Sequence, residues 1–225
     1  GARLAAYRAG VPVAGGWERP AASDLTAGVA GVLLAQVRCG QEPEPALVRA
    51  LARSARAQEV GWAWADPDDS GEAGDTAGAG GAAPLCGLAH GASGVSLALT
   101  EAAVMDPSLA SGFALAVGGL AWESSWFDPL RGWPDLRGDA SEFPVWWCHG
   151  AAGITAARLR LVQLAARGID LGMPVPSLSA QAHAGIQLCA ERVREAASEA
   201  AAGTAPHAGL SLCHGLGGPL DALAL

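Results

Sequence analysis

Residues 146–161 read WWCHGAAGITAARLRL, a Cys-His pair followed at once by a Gly-x-x-Gly unit and a small, apolar run. The glycines carry a fold-level message. Without a Cβ they let a loop approach a neighbouring helix closely and enter it through φ > 0. The same unit recurs as GVAGVLLAQV from Gly28, GASGVSLAL from Gly91 and GLGGPLDALAL from Gly215, in steps of 63, 59 and 65 residues around Gly150. Glycine is abundant, with 31 copies, but abundance does not place four units at near-constant intervals with histidine before three of them. The period is too long for one helix pair of a common solenoid and fits about two helical hairpins per step. PALVRALARSARA, GFALAVGGLAW and AQAHAGIQLCAERVREAASEAA supply the intervening helices, since their apolar positions recur at helical spacing while strand-like alternation is nearly absent. An all-α chain of stacked hairpins is expected, each unit opening an inner helix.

Two stretches read as loops. Residues 65–84, ADPDDSGEAGDTAGAGGAAP, are acidic and glycine-rich without a period, as in a solvated insertion at the rim. WFDPLRGWPDLRGDASEFP is loop-like but aromatic. Five of the eight tryptophans fall between Trp122 and Trp147, which suits packing under a long loop better than a peptide-contacting surface.

The 225 residues, 51% of them hydrophobic, can bury the core of one domain. A net charge of −8 with scattered basic residues argues against a nucleic-acid partner. No window matches a transmembrane segment and the first residues do not match a signal peptide, so a cytoplasmic location is expected. Five cysteines are too few and too sparse for a disulfide framework, which leaves reduced thiols or metal ligands.

The chemistry gathers before the glycines. His90, His149 and His214 each precede a unit, and Cys148 and Cys213 hold the equivalent place before two of them. If the units open inner helices, these residues project from one end of the assembly and converge. Two thiolates and an imidazole suit zinc, with a fourth position left for water or substrate. Helix N-termini favour the thiolate form of Cys148 and Cys213. Spacing alone does not choose three ligands from Cys148, His149, Cys213 and His214. Cys39, Cys86, Cys189, His183 and His207 read as ordinary side chains.

DLTAGVAGVLLA, GLAHGASGVSLAL, WPDLR, WWCHGAAGI and LCHGLGG, in that order, resemble the lanthionine synthetase C-like cyclases, most closely the C-terminal cyclase domain of bifunctional LanM-type synthetases. The resemblance implies an α/α toroid occupying residues 1–225 as one partial domain, incomplete at both ends. It implies zinc held by Cys148, Cys213 and His214, and addition of a peptide cysteine thiol to dehydroalanine or dehydrobutyrine. It matches Asp24 to an acidic residue of the early repeat and His90 to an active-site histidine. It further implies a dehydrated precursor peptide as substrate and a fused or associated dehydratase. Such a histidine can carry the proton that the enolate needs, with Asp24 orienting it. His149 stands open between an acid role, alternative ligation, support of a ligand, and packing. Stand-alone members place arginine where this chain has Pro144, and Arg137 of WPDLR is the nearest substitute. Two other readings compete: a non-catalytic or thiol-binding relative, and a carbohydrate-active toroid using Asp128, Asp135, Asp139 and Glu142.

Overall fold

The computed structural model describes residues 22–65, 83–204 and 209–225. Its order is α1 (Val29–Arg38), α2 (Pro45–Ser54), β1 (Arg56–Ala57), β2 (Trp62–Ala63), α3 (Ala92–Met105), a 3₁₀ turn (Pro107–Leu109), α4 (Ala110–Ser125), α5 (Ala151–Ala166), α6 (Val175–Ala201) and α7 (Gly217–Ala224). The all-α expectation holds: the one sheet among the described residues is the β1–β2 hairpin, pairing Arg56 with Ala63 and Ala57 with Trp62. No helix among them is long and apolar enough to cross a membrane.

The helices form two layers. α1, α3, α5 and α7 pack in sequence, each against the next, while α2, α4 and α6 lie against the inner helix they follow. Composition explains the layers. α3 is buried continuously from Ala92 to Ala102, as a helix with neighbours on every side must be. α2 buries only Leu47, Val48 and Leu51, one stripe. Three apolar clusters fill the space between layers, one around Leu33, Leu51, Leu99 and Trp133, one around Leu120, Leu161, Leu164 and Leu178, and a small one of Ala152, Cys189 and Ala222.

Each step therefore holds one hairpin, not two. The β hairpin and residues 65–84 lengthen the first step, the 126–149 loop the second, and the 27-residue α6 the third. Of residues 65–84, 66–82 lie outside the described residues, and Ala65 bridges to Pro84 across them. The aromatic loop packs in part: Trp133 is buried and its Nε1 donates to Glu123 O at 3.1 Å, while Trp126 at the start of the loop is exposed.

The glycine pairs answer a hydrogen-bond problem. α1, α3 and α5 have no side-chain cap of their own, yet the first N–H groups of a helix need acceptors. The preceding loop supplies them from seven residues upstream, Val29 N donating to Ala22 O at 2.8 Å, Ala92 N to Leu85 O at 3.0 Å and Ala151 N to Pro144 O at 3.0 Å. To do so the loop must cross the helix end in van der Waals contact. A Cβ at Gly31, Gly94 or Gly153 would collide with Leu25 O, Leu88 O or Trp147 O. The same glycine also receives the neighbouring repeat, since a Cβ at Gly153 would stand 2.7 Å from Leu88 Cβ and one at Gly218 2.9 Å from Trp147 Cβ. The fourth unit keeps the same bond, Leu216 N donating to Gly209 O at 2.9 Å, although α7 begins only at Gly217.

At the opposite end of the inner helices, Glu101 joins three of them. It accepts from Arg38 Nη2 at 2.9 Å and from Arg160 Nη2 at 3.1 Å, and its own side chain is 5% exposed. Glu101→Gln would leave two guanidinium groups facing a neutral amide. It is expected to cost about 1–3 kcal/mol, read as a lower urea midpoint with unchanged slope. A wild-type midpoint would show that the three helices do not depend on this contact.

Candidate metal centre

The loops that enter α1, α3, α5 and α7 lie side by side and are linked by backbone hydrogen bonds. Leu25 N donates to Ala89 O at 2.9 Å, Ala89 N to Cys148 O at 3.2 Å and Trp147 N to Cys213 O at 3.1 Å. Gly87 makes the second of these approaches possible, at φ 142°, where a Cβ would stand 2.5 Å from Cys148 O. Residues 65 apart in sequence thereby become neighbours.

Cys148, Cys213 and His214 form a group whose ligand atoms all lie within 4.8 Å of one another. Cys148 Sγ is 3.2 Å from His214 Nε2. Ligands of one tetrahedral zinc stand roughly 3.5–3.8 Å apart, so the group needs only small side-chain adjustments to accept the ion. Cys148 is buried, Cys213 half-buried and His214 exposed, so the cluster is anchored in the protein and open on one side. The Trp146 ring meets the His214 ring edge-on at 4.9 Å and limits its swing. The donor set and its openness fit zinc.

His149 stays outside that group. Its Nδ1 lies 3.3 Å from Cys148 Sγ and its ring is buried. Burial, then the positive Arg137 guanidinium, pushes its pKa down to about 4. A neutral imidazole suits donation of Nδ1–H to the sulfur and is a poor proton source at neutral pH, which narrows the alternatives left open by the sequence. Without a metal, burial, then the adjacent Cys213, raises the Cys148 pKa to about 12, against the direction expected of its helix end. A helix terminus contributes about 0.3–1 kcal/mol, too little to offset desolvation of a thiolate here.

The second half of the site faces this cluster. His90 stacks on His149 with ring centroids 5.3 Å apart and planes 23° apart. Its Nδ1 lies 3.2 Å from Asp24 Oδ2. Asp24 is itself fixed by the Ala27 amide at 2.6 Å. Burial works to raise the Asp24 pKa, but the hydrogen bonds from His90 and Ala27 outweigh it and hold the carboxyl below its ordinary value. An ionised Asp24 makes Nδ1 the protonated nitrogen and Nε2 the basic one. Thr26 was not anticipated: its Oγ1 lies 3.4 Å from both His90 Nδ1 and Asp24 Oδ1. It occupies the place in its unit that Cys148 holds in the third, and that register was the available signal. Arg137 bonds Asp135 in two directions, with Nε 2.9 Å from Oδ1.

The remaining candidates fall elsewhere. Asp128 pairs with Arg131, Asp135 with Arg137, and Asp139 accepts from Ser141, so these carboxylates hold turns of the aromatic loop. Cys39, Cys86 and Cys189 are free thiols outside the cluster. His183 is exposed on α6. His207 lies outside the described residues.

A protein-family model described as "Lanthionine synthetase C-like protein" matches residues 13–225. No curated protein matches the chain.

Proposed function

Because the chain belongs to the lanthionine synthetase C-like family, we propose that it is a zinc-dependent thioether cyclase, closing (methyl)lanthionine rings in a dehydrated precursor peptide. The observation that carries this is the convergence of Cys148, Cys213 and His214 within 4.8 Å beside the Asp24–His90 pair. These three residues would hold the ion. Bound there, zinc would supply the Lewis acidity that makes a substrate cysteine thiolate available at neutral pH.

The protein's own residues account for the proton balance. The peptide sulfur forms a bond to the β-carbon of dehydroalanine or dehydrobutyrine, and the double-bond electrons move to an enolate. His90 Nε2, the basic nitrogen, takes up the proton that the peptide thiol releases and returns it to the α-carbon. Asp24 accepts Nδ1–H, which fixes the tautomer and ring orientation and favours the charged ring. His149, neutral and stacked between His90 and Cys148, orients the Cys148 sulfur. Arg137 lies close enough to act on His149 electrostatically and is assigned no chemical step.

WPDLR supports placing the chain with the LanM-type synthetases, acting in the cytoplasm with a fused or associated dehydratase as the source of its substrate. A thiol-binding relative would share the cysteine cluster but has no use for a buried carboxylate that fixes a histidine tautomer, so the Asp24–His90 pair favours the enzyme. The test is metal content and turnover together. Reduced protein should hold about one zinc per chain, and incubation with a dehydrated peptide should protect its cysteines from alkylation without changing its mass. Reduced protein that takes up no zinc would sink the reading.

A further inference from the structure

Two charged side chains unused by the site are entirely buried, Glu123 on α4 and Arg158 on α5, each 0% exposed. Arg158 Nη2 donates to Glu123 Oε2 at 2.9 Å, its Nε to Gln181 Oε1 at 2.8 Å and its Nη1 to Ser93 Oγ at 3.2 Å. Burying two ions costs several kcal/mol each, and apolar side chains of similar volume often stabilise at least as well. Stability alone is therefore a weak reason for the pair, and its other partners suggest a better one.

Glu123 Oε1 accepts the backbone N–H of Gly87 at 2.9 Å and of Ser93 at 3.1 Å, while Oε2 accepts the Ser93 hydroxyl. These two amides bracket His90. Ser93 N is among the helix-start donors that α3 leaves without an intrahelical acceptor, so a carboxylate from another helix caps α3 and complements its dipole. Gly87 leaves no room for a Cβ beside the Cys148 carbonyl oxygen, and Ala89 N donates to that same oxygen at 3.2 Å. One carboxylate thus ties both ends of the loop that carries His90, and the loop abuts the backbone of a cluster cysteine.

We infer that Glu123 and Arg158 are positioning residues: Glu123 fixes the 87–93 loop, and with it the placement of His90 relative to the cysteine–histidine cluster, while Arg158 neutralises and orients the carboxylate. Neither touches substrate. The inference rests on the reading of His90 as the proton carrier.

The test uses the intact protein and two variants. Glu123→Leu with Arg158→Met removes both charges at once, which avoids leaving one buried ion unpaired, and takes away the oxygen that holds both amides. Arg158→Lys keeps a positive partner and leaves Glu123 as the acceptor of both amides. In the zinc-loaded double variant, kcat should fall about 10²-fold, the scale expected when a reacting group is displaced by about 1 Å, with KM and zinc stoichiometry unchanged. Arg158→Lys should stay within about threefold of wild type. Hydrogen exchange of the zinc-free proteins is the second readout, and the Gly87 and Ser93 amides should exchange roughly tenfold faster or more in the double variant alone. Wild-type kcat in the double variant, or equal losses in both variants, would overturn the inference. So would unchanged exchange at Gly87 and Ser93, whatever the turnover. Absence of thioether formation by wild type, with exchange behaving as expected, would instead count against His90 as proton carrier and leave the clamp standing.

Discussion

Cys148→Ala is expected to weaken zinc binding by about 10²–10³-fold and to abolish thioether formation while leaving the fold intact. Zinc binding to small protein sites is worth about 10–16 kcal/mol over four ligands, so one ligand carries roughly 2.5–4 kcal/mol, or about 10²–10³ in affinity. The fold should survive because the backbone of Cys148 does its structural work through its carbonyl, which accepts from Ala89 N. Alanine keeps that carbonyl, and removing a buried thiol leaves no charge behind. His149→Phe provides the graded comparison. It keeps all three cluster residues and removes the nitrogen 3.3 Å from Cys148 Sγ, so zinc affinity should fall by about 10–100-fold. Equilibrium dialysis against zinc and alkylation of a dehydrated peptide read both outcomes. If Cys148→Ala bound zinc with wild-type affinity, the ligand set would be wrong, and His149 would be the first replacement to consider.

The second large effect is on folding. Gly153→Ala would drive a Cβ into Trp147 O and to 2.7 Å from Leu88 Cβ. Neither neighbour can yield alone: the carbonyl follows the loop that caps α5, and Leu88 belongs to the adjacent loop. Overpacking of this kind costs about 3 kcal/mol or more, a drop in Tm of roughly 6–12 °C for a chain of this size. Gly138→Ala is the control, since a Cβ there meets nothing within 4 Å, and it should melt within about 2 °C of wild type. Calorimetry separates them. Equal melting temperatures would mean that the glycine pairs are not set by close approach.

Much of this was legible in sequence because the repeat carries it. Gly28, Gly91 and Gly150 mark where α1, α3 and α5 begin, and the Cys and His before the third and fourth units mark where the cluster forms. The fourth unit misled by one residue: it keeps the seven-residue bond, Leu216 N to Gly209 O at 2.9 Å, yet its helix starts at Gly217. The number of hairpins per step was misjudged for a different reason: a period counts residues, and long connectors consume residues without adding helices. Arg38, Glu101 and Arg160 each stand ten residues after the first glycine of their unit, so their contact was readable from the register of the repeats. Glu123 and Arg158 were not. They share no motif and no repeat position, and their pairing depends on how α4 and α5 pack.

The backbone bonds running from Leu25 to Ala89, from Ala89 to Cys148 and from Trp147 to Cys213 have a consequence for how such a protein can vary. They index the site from one end of the inner layer, loop by loop, and make no reference to the connectors. A connector can then lengthen, shorten or be exchanged without changing which side chains meet, provided its two ends stay together. Ala65 and Pro84 are such a pair of ends, already bridged. The architecture separates the part that must keep its dimensions from the part that is open to insertion, and the junction at Ala65 and Pro84 is where a foreign segment could be spliced in with least disturbance to the cysteine–histidine cluster.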